Sequence, residues 1–147
     1  MMHQIIKDRS FLSKKCKPCA TVEEGEAIAE RLLDVLSSTN NGVGLAANQI
    51  GIQKRVCVVN VKKPIVLINP QIVSNFGSIR FKEGCLSFPE EYVATSRHAN
   101  IAVKSDNHKN ILFFSSSDNV LECVCVQHEI DHLDGVVMHD RKLAKGD

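Results

Sequence analysis

Two histidines four residues apart flank a glutamate in the stretch His128-Glu129-Ile130-Asp131-His132. On an α-helix, residues i and i+4 lie one above the other, so both imidazoles reach one metal ion. Glu129, one step along, projects beside that ion and is placed to exchange a proton with a water on it. Without a metal, the same residues would be no more than a histidine pair on a helix. The extended protease pattern would place a third histidine at position 138. The sequence follows that pattern through Gly135, then has Met138, with His139 one residue late and turned from the site. Cys85 is the better third ligand. It sits in Lys82-Glu83-Gly84-Cys85-Leu86-Ser87-Phe88-Pro89, a turn-like segment that can present a thiolate and backbone NH groups together. Two imidazoles and one thiolate leave a fourth tetrahedral position open to water, as catalytic sites do. The blander reading of Cys85 is a buried thiol.

A third stretch, Gly42-Val43-Gly44-Leu45-Ala46-Ala47-Asn48-Gln49-Ile50-Gly51, is rich in small residues that permit close backbone approach. Gln49 adds an amide NH2 able to donate to an oxyanion. A phosphate-binding role is improbable, because the Gly-Lys-Ser/Thr ending and the Gly-x-Gly-x-x-Gly spacing are both missing.

Helices and strands must carry these groups to one place. Thr21-Val22-Glu23-Glu24 reads as a capping box ahead of an amphipathic helix over 22–38, with Ile28, Leu32, Val35 and Leu36 at helical spacing. Val56–Val59 and Ile65–Ile68, around Lys62-Lys63-Pro64, read as a hairpin. Further strands are expected at 91–96, 100–105 and 110–116. A second helix is expected from a cap at Asp118 to about Leu133, carrying the histidine pair. One helix, a block of short strands and a closing helix argue for an α+β fold, with short antiparallel strands around a central helix that carries His-Glu-x-x-His.

The chain has 147 residues, 44% hydrophobic and 24% charged, which is the size and composition of one soluble domain, residues 1–147. Its longest apolar runs are four residues, far short of a membrane span. A net charge of +1 with dispersed Lys and Arg gives no electrostatic case for nucleic acid. The six cysteines, without a secretory signal, are expected as reduced thiols in the cytoplasm. Cys16 and Cys19 are expected to be loop thiols. The C-x-C spacing of Cys123 and Cys125 sends their thiols to different helix faces, and His3, His98 and His108 are expected on the surface.

Together, Gly42-Val43-Gly44-Leu45-Ala46-Ala47-Asn48-Gln49, Glu83-Gly84-Cys85-Leu86-Ser87 and Gln127-His128-Glu129-Ile130-Asp131-His132 resemble the peptide deformylase family over residues 1–140 or so. The resemblance implies removal of the N-terminal formyl group from nascent polypeptides beginning with formyl-methionine, with release of formate. It implies Cys85, His128 and His132 as metal ligands and Glu129 as general base and acid. Gln49 and the backbone NH of Leu86 would hold the oxyanion, and the backbone of Gly44 would align the peptide. Val43, Phe81, Leu121, Val124 and Cys125, with Gly44, would bind substrate around the methionine side chain. Glu83 and Arg97 would form an acid–base pair behind the ligands. One divalent metal is implied, Fe2+ in the cell, with Zn2+, Ni2+ or Co2+ taking its place in purified protein. The implied partners are formylated nascent peptides near the ribosome exit, met by a monomer. A metal-dependent peptidase is the alternative, and it lacks a downstream ligand. Only twelve residues follow Gly135, fewer than in relatives with a longer C-terminal helix.

Overall fold

The computed structural model describes residues 5–143. A single turn, α1 (Arg9–Leu12), precedes the first long helix, α2 (Val22–Ser37). Thr21 Oγ1 accepts from the Glu24 amide at 3.1 Å, and the Glu24 carboxylate reaches back to the amide of Ala20 at 3.1 Å. The capping box therefore forms, with its return bond one residue ahead of the cap.

Three strands follow: β1 (Gly44–Ala46), β2 (Val56–Asn60) and β3 (Pro64–Ile68), antiparallel in the order β1-β2-β3. β2 and β3 form the expected hairpin, with Val58 opposite Val66. Val56 through Val59 are all fully buried because β2 is covered on both faces. Strand alternation sends Val56 and Val58 to Ala29, Leu32, Val35 and Leu36 of α2, and Cys57 and Val59 to the opposite cluster. A continuous apolar run is what such a strand requires.

The second sheet departs from expectation. It consists of β4 (Gln71–Cys85), β5 (Phe88–Lys104) and β6 (Leu112–Ser115) in the order β4-β5-β6. The strands expected at 91–96 and 100–105 are one strand, β5, and the sheet is built on two long strands rather than short ones. β4 was not anticipated. Ser74, Asn75, Gly77 and Ser78 break its apolar pattern, and most of its side chains are exposed. Pairing with β5 from Gln71–Lys104 to Cys85–Phe88, with register shifts between Ile72 and Ser74 and between Glu83 and Cys85, holds it in place. The turn-like segment expected over 82–89 shrinks to Leu86 and Ser87, and Glu83 and Cys85 stand on a strand.

The last long helix, α3 (Val120–Leu133), is capped by Asn119 rather than Asp118, its side chain accepting from the Glu122 amide at 2.9 Å. Every residue from Glu122 to Leu133 is buried, so α3 runs through the centre. The architecture is α+β with antiparallel sheets around this helix. A closing 3-10 turn (Met138–Arg141) docks Val137 and Met138 against Leu12, Phe88 and Val93. Cys16 and Cys19 lie in a loop, as expected, and are buried. Cys123 faces the carbonyls of His98 and Ala99, while Cys125 faces Gly44, on different sides of α3. His98 is exposed, but His108 is half-buried, its Nε2 2.9 Å from the Val66 carbonyl. His3 lies outside the described residues. No helix among the described residues is long and apolar enough to cross a membrane.

Candidate active site

On α3 the four-residue spacing stacks the two imidazoles as expected. His128 Nε2 and His132 Nε2 lie 3.2 Å apart, and both rings are buried. Cys85 arrives from the end of β4, where a register shift between Glu83 and Cys85 precedes the turn. Its Sγ lies 3.4 Å from His132 Nε2. The three donor atoms fall within 4.8 Å of one another.

The surroundings suit a cation. His128 Nδ1 sits 2.8 Å from Glu83 Oε1, a bond that orients the ring with Nε2 toward Cys85 and His132. Burial alone would push the His128 pKa down. The charge of Glu129 and hydrogen bonds to Cys85 and Glu83 overcome it and hold that pKa well above its ordinary value, so the pocket draws positive charge. Burial and the neighbouring charges of His128 and Arg97 push His132 well below its ordinary value, keeping it neutral and able to ligate. Two imidazoles and a sulfur suit a divalent transition metal.

Glu83 is buried, and desolvation works against its charge. Hydrogen bonds from Arg97 and His128, with their charges, win and hold its pKa at about 2. Arg97 grips it with Nε at 2.6 Å and Nη2 at 2.8 Å, and Thr95 Oγ1 donates at 2.5 Å. Glu129 is equally buried, but its Oε1 has no hydrogen-bond partner among the described residues. Desolvation, helped by the charge of Glu83 and opposed by His128 and Arg97, lifts its pKa to about 7.

Gly44 lies against this glutamate. A Cβ there would stand 2.6 Å from Cys125 Sγ and 2.7 Å from Glu129 Oε2, so only glycine fits. Gln49, in the 3-10 turn Ala47–Ile50, accepts from the Ala46 amide at 2.9 Å through Oε1. That bond fixes the amide so that Nε2 points to Ser87 Oγ at 3.1 Å and Cys85 Sγ at 3.6 Å. Leu86, half-buried, follows Cys85 in the turn. Of the apolar residues, Val124 and Cys125 are buried, Val43 packs against the cluster that contains Cys125, and Phe81 is half-buried on β4. Leu121, in the first turn of α3, is 37% exposed.

His139 is turned from the ligands, as its spacing demanded. Its Nε2 lies 3.0 Å from Glu91, and its ring meets Phe88 edge-on. Sequence reasoning missed five supporting residues: Asn48, Ser87, Thr95, Asp131 and Arg141. Asn48 is fully buried and donates to the His132 carbonyl at 2.8 Å. Strand periodicity would have put Thr95 on the face of Arg97. Asp131 lies inside the histidine motif, three residues from His128. Nothing local distinguishes Arg141.

An α+β frame that sets two imidazoles and a high-pKa carboxylate of its central helix against a cysteine sulfur from a strand end has the makeup of a metal-dependent hydrolase. The sequence pattern of the polypeptide deformylase family matches residues 2–146, and the chain belongs to that family. A peptide deformylase of Heliobacterium modesticaldum is 42% identical over 134 residues, 88% of this chain and 86% of its own. The crystal structure of a peptide deformylase from Thermotoga maritima superposes with a TM-score of 0.85 at 32% identity, covering 98% of this chain and 99% of that one. A class I type b peptide deformylase from Acinetobacter baumannii, solved bound to Met-Ala-Ser, is 25% identical with a TM-score of 0.85, covering 96% and 98%. The chain is thus an enzyme of a metal-dependent family that removes the formyl group from nascent peptides, releasing formate.

Proposed function

We propose that residues 1–147 form one catalytic domain in which Cys85 Sγ, His128 Nε2 and His132 Nε2 hold a single divalent cation. A thiolate with two imidazoles accepts Fe2+, Zn2+, Ni2+ or Co2+, and Fe2+ is the ion assigned in the cell on family grounds. When bound, the cation supplies Lewis acidity that brings the pKa of a water toward neutrality.

The chain's own groups do the rest. Glu129, with its pKa at about 7, takes a proton from the attacking water and returns it to the leaving amine at the same pH. Gln49 Nε2 and the Leu86 NH donate to the oxygen on which charge grows as the formyl carbon becomes tetrahedral. The bond from the Ala46 amide holds the Gln49 side chain there beforehand, so little reorganisation is needed. The Gly44 backbone aligns the peptide. Val43, Phe81, Leu121, Val124 and Cys125 receive the methionine side chain, an unbranched apolar group suited to their surfaces. Glu83 and Arg97 hold the His128 ring. The substrate is a formylated nascent peptide met near the ribosome exit by a cytoplasmic monomer.

The convergence of three donor atoms from a hairpin end and a helix, beside a buried carboxylate with an unpartnered oxygen, carries this reading. Formyl-Met-Ala-Ser is the test substrate, because its product is the peptide bound by the Acinetobacter relative. Assayed anaerobically with defined metals, the protein is expected to release formate, and Cys85→Ala to lose both metal and activity. Stoichiometric metal retained in Cys85→Ala would overturn the ligand set.

A further inference from the structure

The hydrogen bonds behind His128 continue past Arg97. Besides its two bonds to Glu83, Arg97 donates from Nη1 to Asp131 Oδ2 at 2.5 Å. Asp131 is gripped from its far side by Arg141, with Nε 3.1 Å from Oδ2 and Nη2 3.0 Å from Oδ1. Side chains of alternating sign therefore run from Arg141 through Asp131, Arg97 and Glu83 to the His128 ring. The inner three are buried and Arg141 is 48% exposed, so the row reaches from the ligand to the surface.

We propose that Arg141 is a positioning residue for the reaction: its guanidinium fork sets the Asp131 carboxylate, which sets Arg97 and, through Glu83, the ring of His128. The proposal rests on the metal reading above. Three observations support it. Arg97 alone would serve two buried carboxylates, and Arg141 supplies the second guanidinium, on the carboxylate farther from the His128 ring. Asp131 Oδ2 is shared between both arginines, so the planar two-point grip of Arg141 decides the angle at which Oδ2 meets Arg97. A cavity of about 230 Å³, lined in part by Gln127, Arg97, Asp131 and Arg141, brings room for water up to this carboxylate. Released from Arg141, Asp131 can turn toward that water and free Nη1 of Arg97.

The fork has a firm base. Asp140 caps the closing turn by accepting from the Val137 amide at 3.0 Å, Val137 and Met138 are each 1% exposed, and the Leu143 amide donates to Ala94 of β5 at 2.9 Å. A residue outside all three sequence motifs thus braces the ligand sphere from the end of the fold. Lysine would keep the charge but lose the fork.

The full chain loaded with Co2+ tests this. Metal release into excess chelator is followed by loss of the thiolate–Co2+ absorption band, beside kcat, KM and the melting temperature of the metal-free protein. Removing a direct partner of a ligand costs about 10–100-fold in metal affinity; three links beyond Glu83, Arg141→Ala is expected to act more weakly, speeding release roughly 3–10-fold. Its kcat should fall while KM holds, because Arg141 touches no substrate. Arg141→Lys should lie between. Arg9→Ala, which removes only the exposed Arg9–Asp140 pair at 3.5 Å on the same turn, should match wild type. Wild-type release and kcat in Arg141→Ala would overturn the proposal. So would a lower melting temperature with unchanged release, which would leave Arg141 a purely structural role. If the alanine variant does not accumulate, the lysine variant decides by the same criteria. Absence of the cobalt–thiolate band in wild type would instead sink the ligand assignment, and the proposal with it.

Discussion

Two buried glutamates lie beside the same histidine and titrate at opposite ends of the carboxylate range. Glu83, on the hairpin side, is held at about 2, and Glu129, on the helix side, is lifted to about 7. Burial is common to both; partners separate them. Glu83 receives the Arg97 fork, Thr95 and His128, whereas Glu129 lies against Gly44 and, among the described residues, has one oxygen without a hydrogen-bond partner. One carboxylate is thereby fixed as a permanent anion that orients a ligand, and the other is left free to pick up and release a proton. Carboxyl groups driven apart in this way divide structural from acid–base work.

The contrast breaks most severely at Glu129 itself. Glu129→Gln keeps the shape and removes the proton carrier, so formate release should drop by roughly 10²–10⁴-fold while metal content is retained. Wild-type turnover would show that the proton moves by another route. On the opposite side, Arg97→Met takes the guanidinium from both Glu83 and Asp131, leaving Glu83 only Thr95 and His128, and should destabilise the fold by about 3–5 kcal/mol in denaturant unfolding. Adding Glu83→Gln should restore much of that loss, and a double variant no better than the single one would contradict the pairing.

Proton linkage sharpens the same contrast in the metal-free protein. Glu129 has a folded pKa raised from 4.5 to about 7, so the folded state binds more protons than the unfolded state over that window. Stability should therefore fall as pH rises from 4.5 to 7, by on the order of 3 kcal/mol at most. Glu83, lowered from 4.5 to about 2, has the opposite sign: its contribution is present above 4.5 and lost as pH falls toward 2. Glu129→Gln should flatten the upper limb and leave the lower one, a difference readable in melting temperature against pH. The mildest intervention is Gly44→Ala. Its methyl must displace Glu129 or Cys125, and misplacing a catalytic group by about 1 Å costs up to about 10²-fold in turnover. Unaltered kcat would mean that the space beside Gly44 is not what holds Glu129.

Much of this site was legible in the chain. The four-residue histidine spacing, the Gly-Cys-Leu-Ser stretch and Gln49 each carry a local geometric reason, and α2 and the β2–β3 hairpin follow from periodicity and capping. β4 was not legible, because an edge strand with polar, exposed side chains is held by backbone pairing that leaves no apolar pattern. The helix cap slipped by one residue because Asp118 and Asn119 are both competent acceptors and only one meets the Glu122 amide.

Residue types and spacings along the chain determined which atoms can ligate and which carboxyl group stands next to them, since both depend on helix geometry within five residues. The meeting of Cys85 with the helix and the Arg97–Glu83 pair were expected from the motifs and the family resemblance, while the tertiary structure alone decided that Arg97 also pairs with Asp131 and that Arg141 closes the row. Those contacts join residues from 10 to 47 positions apart. A pKa depends on what is excluded and what is paired within a few ångströms in space, which the order of residues does not encode locally.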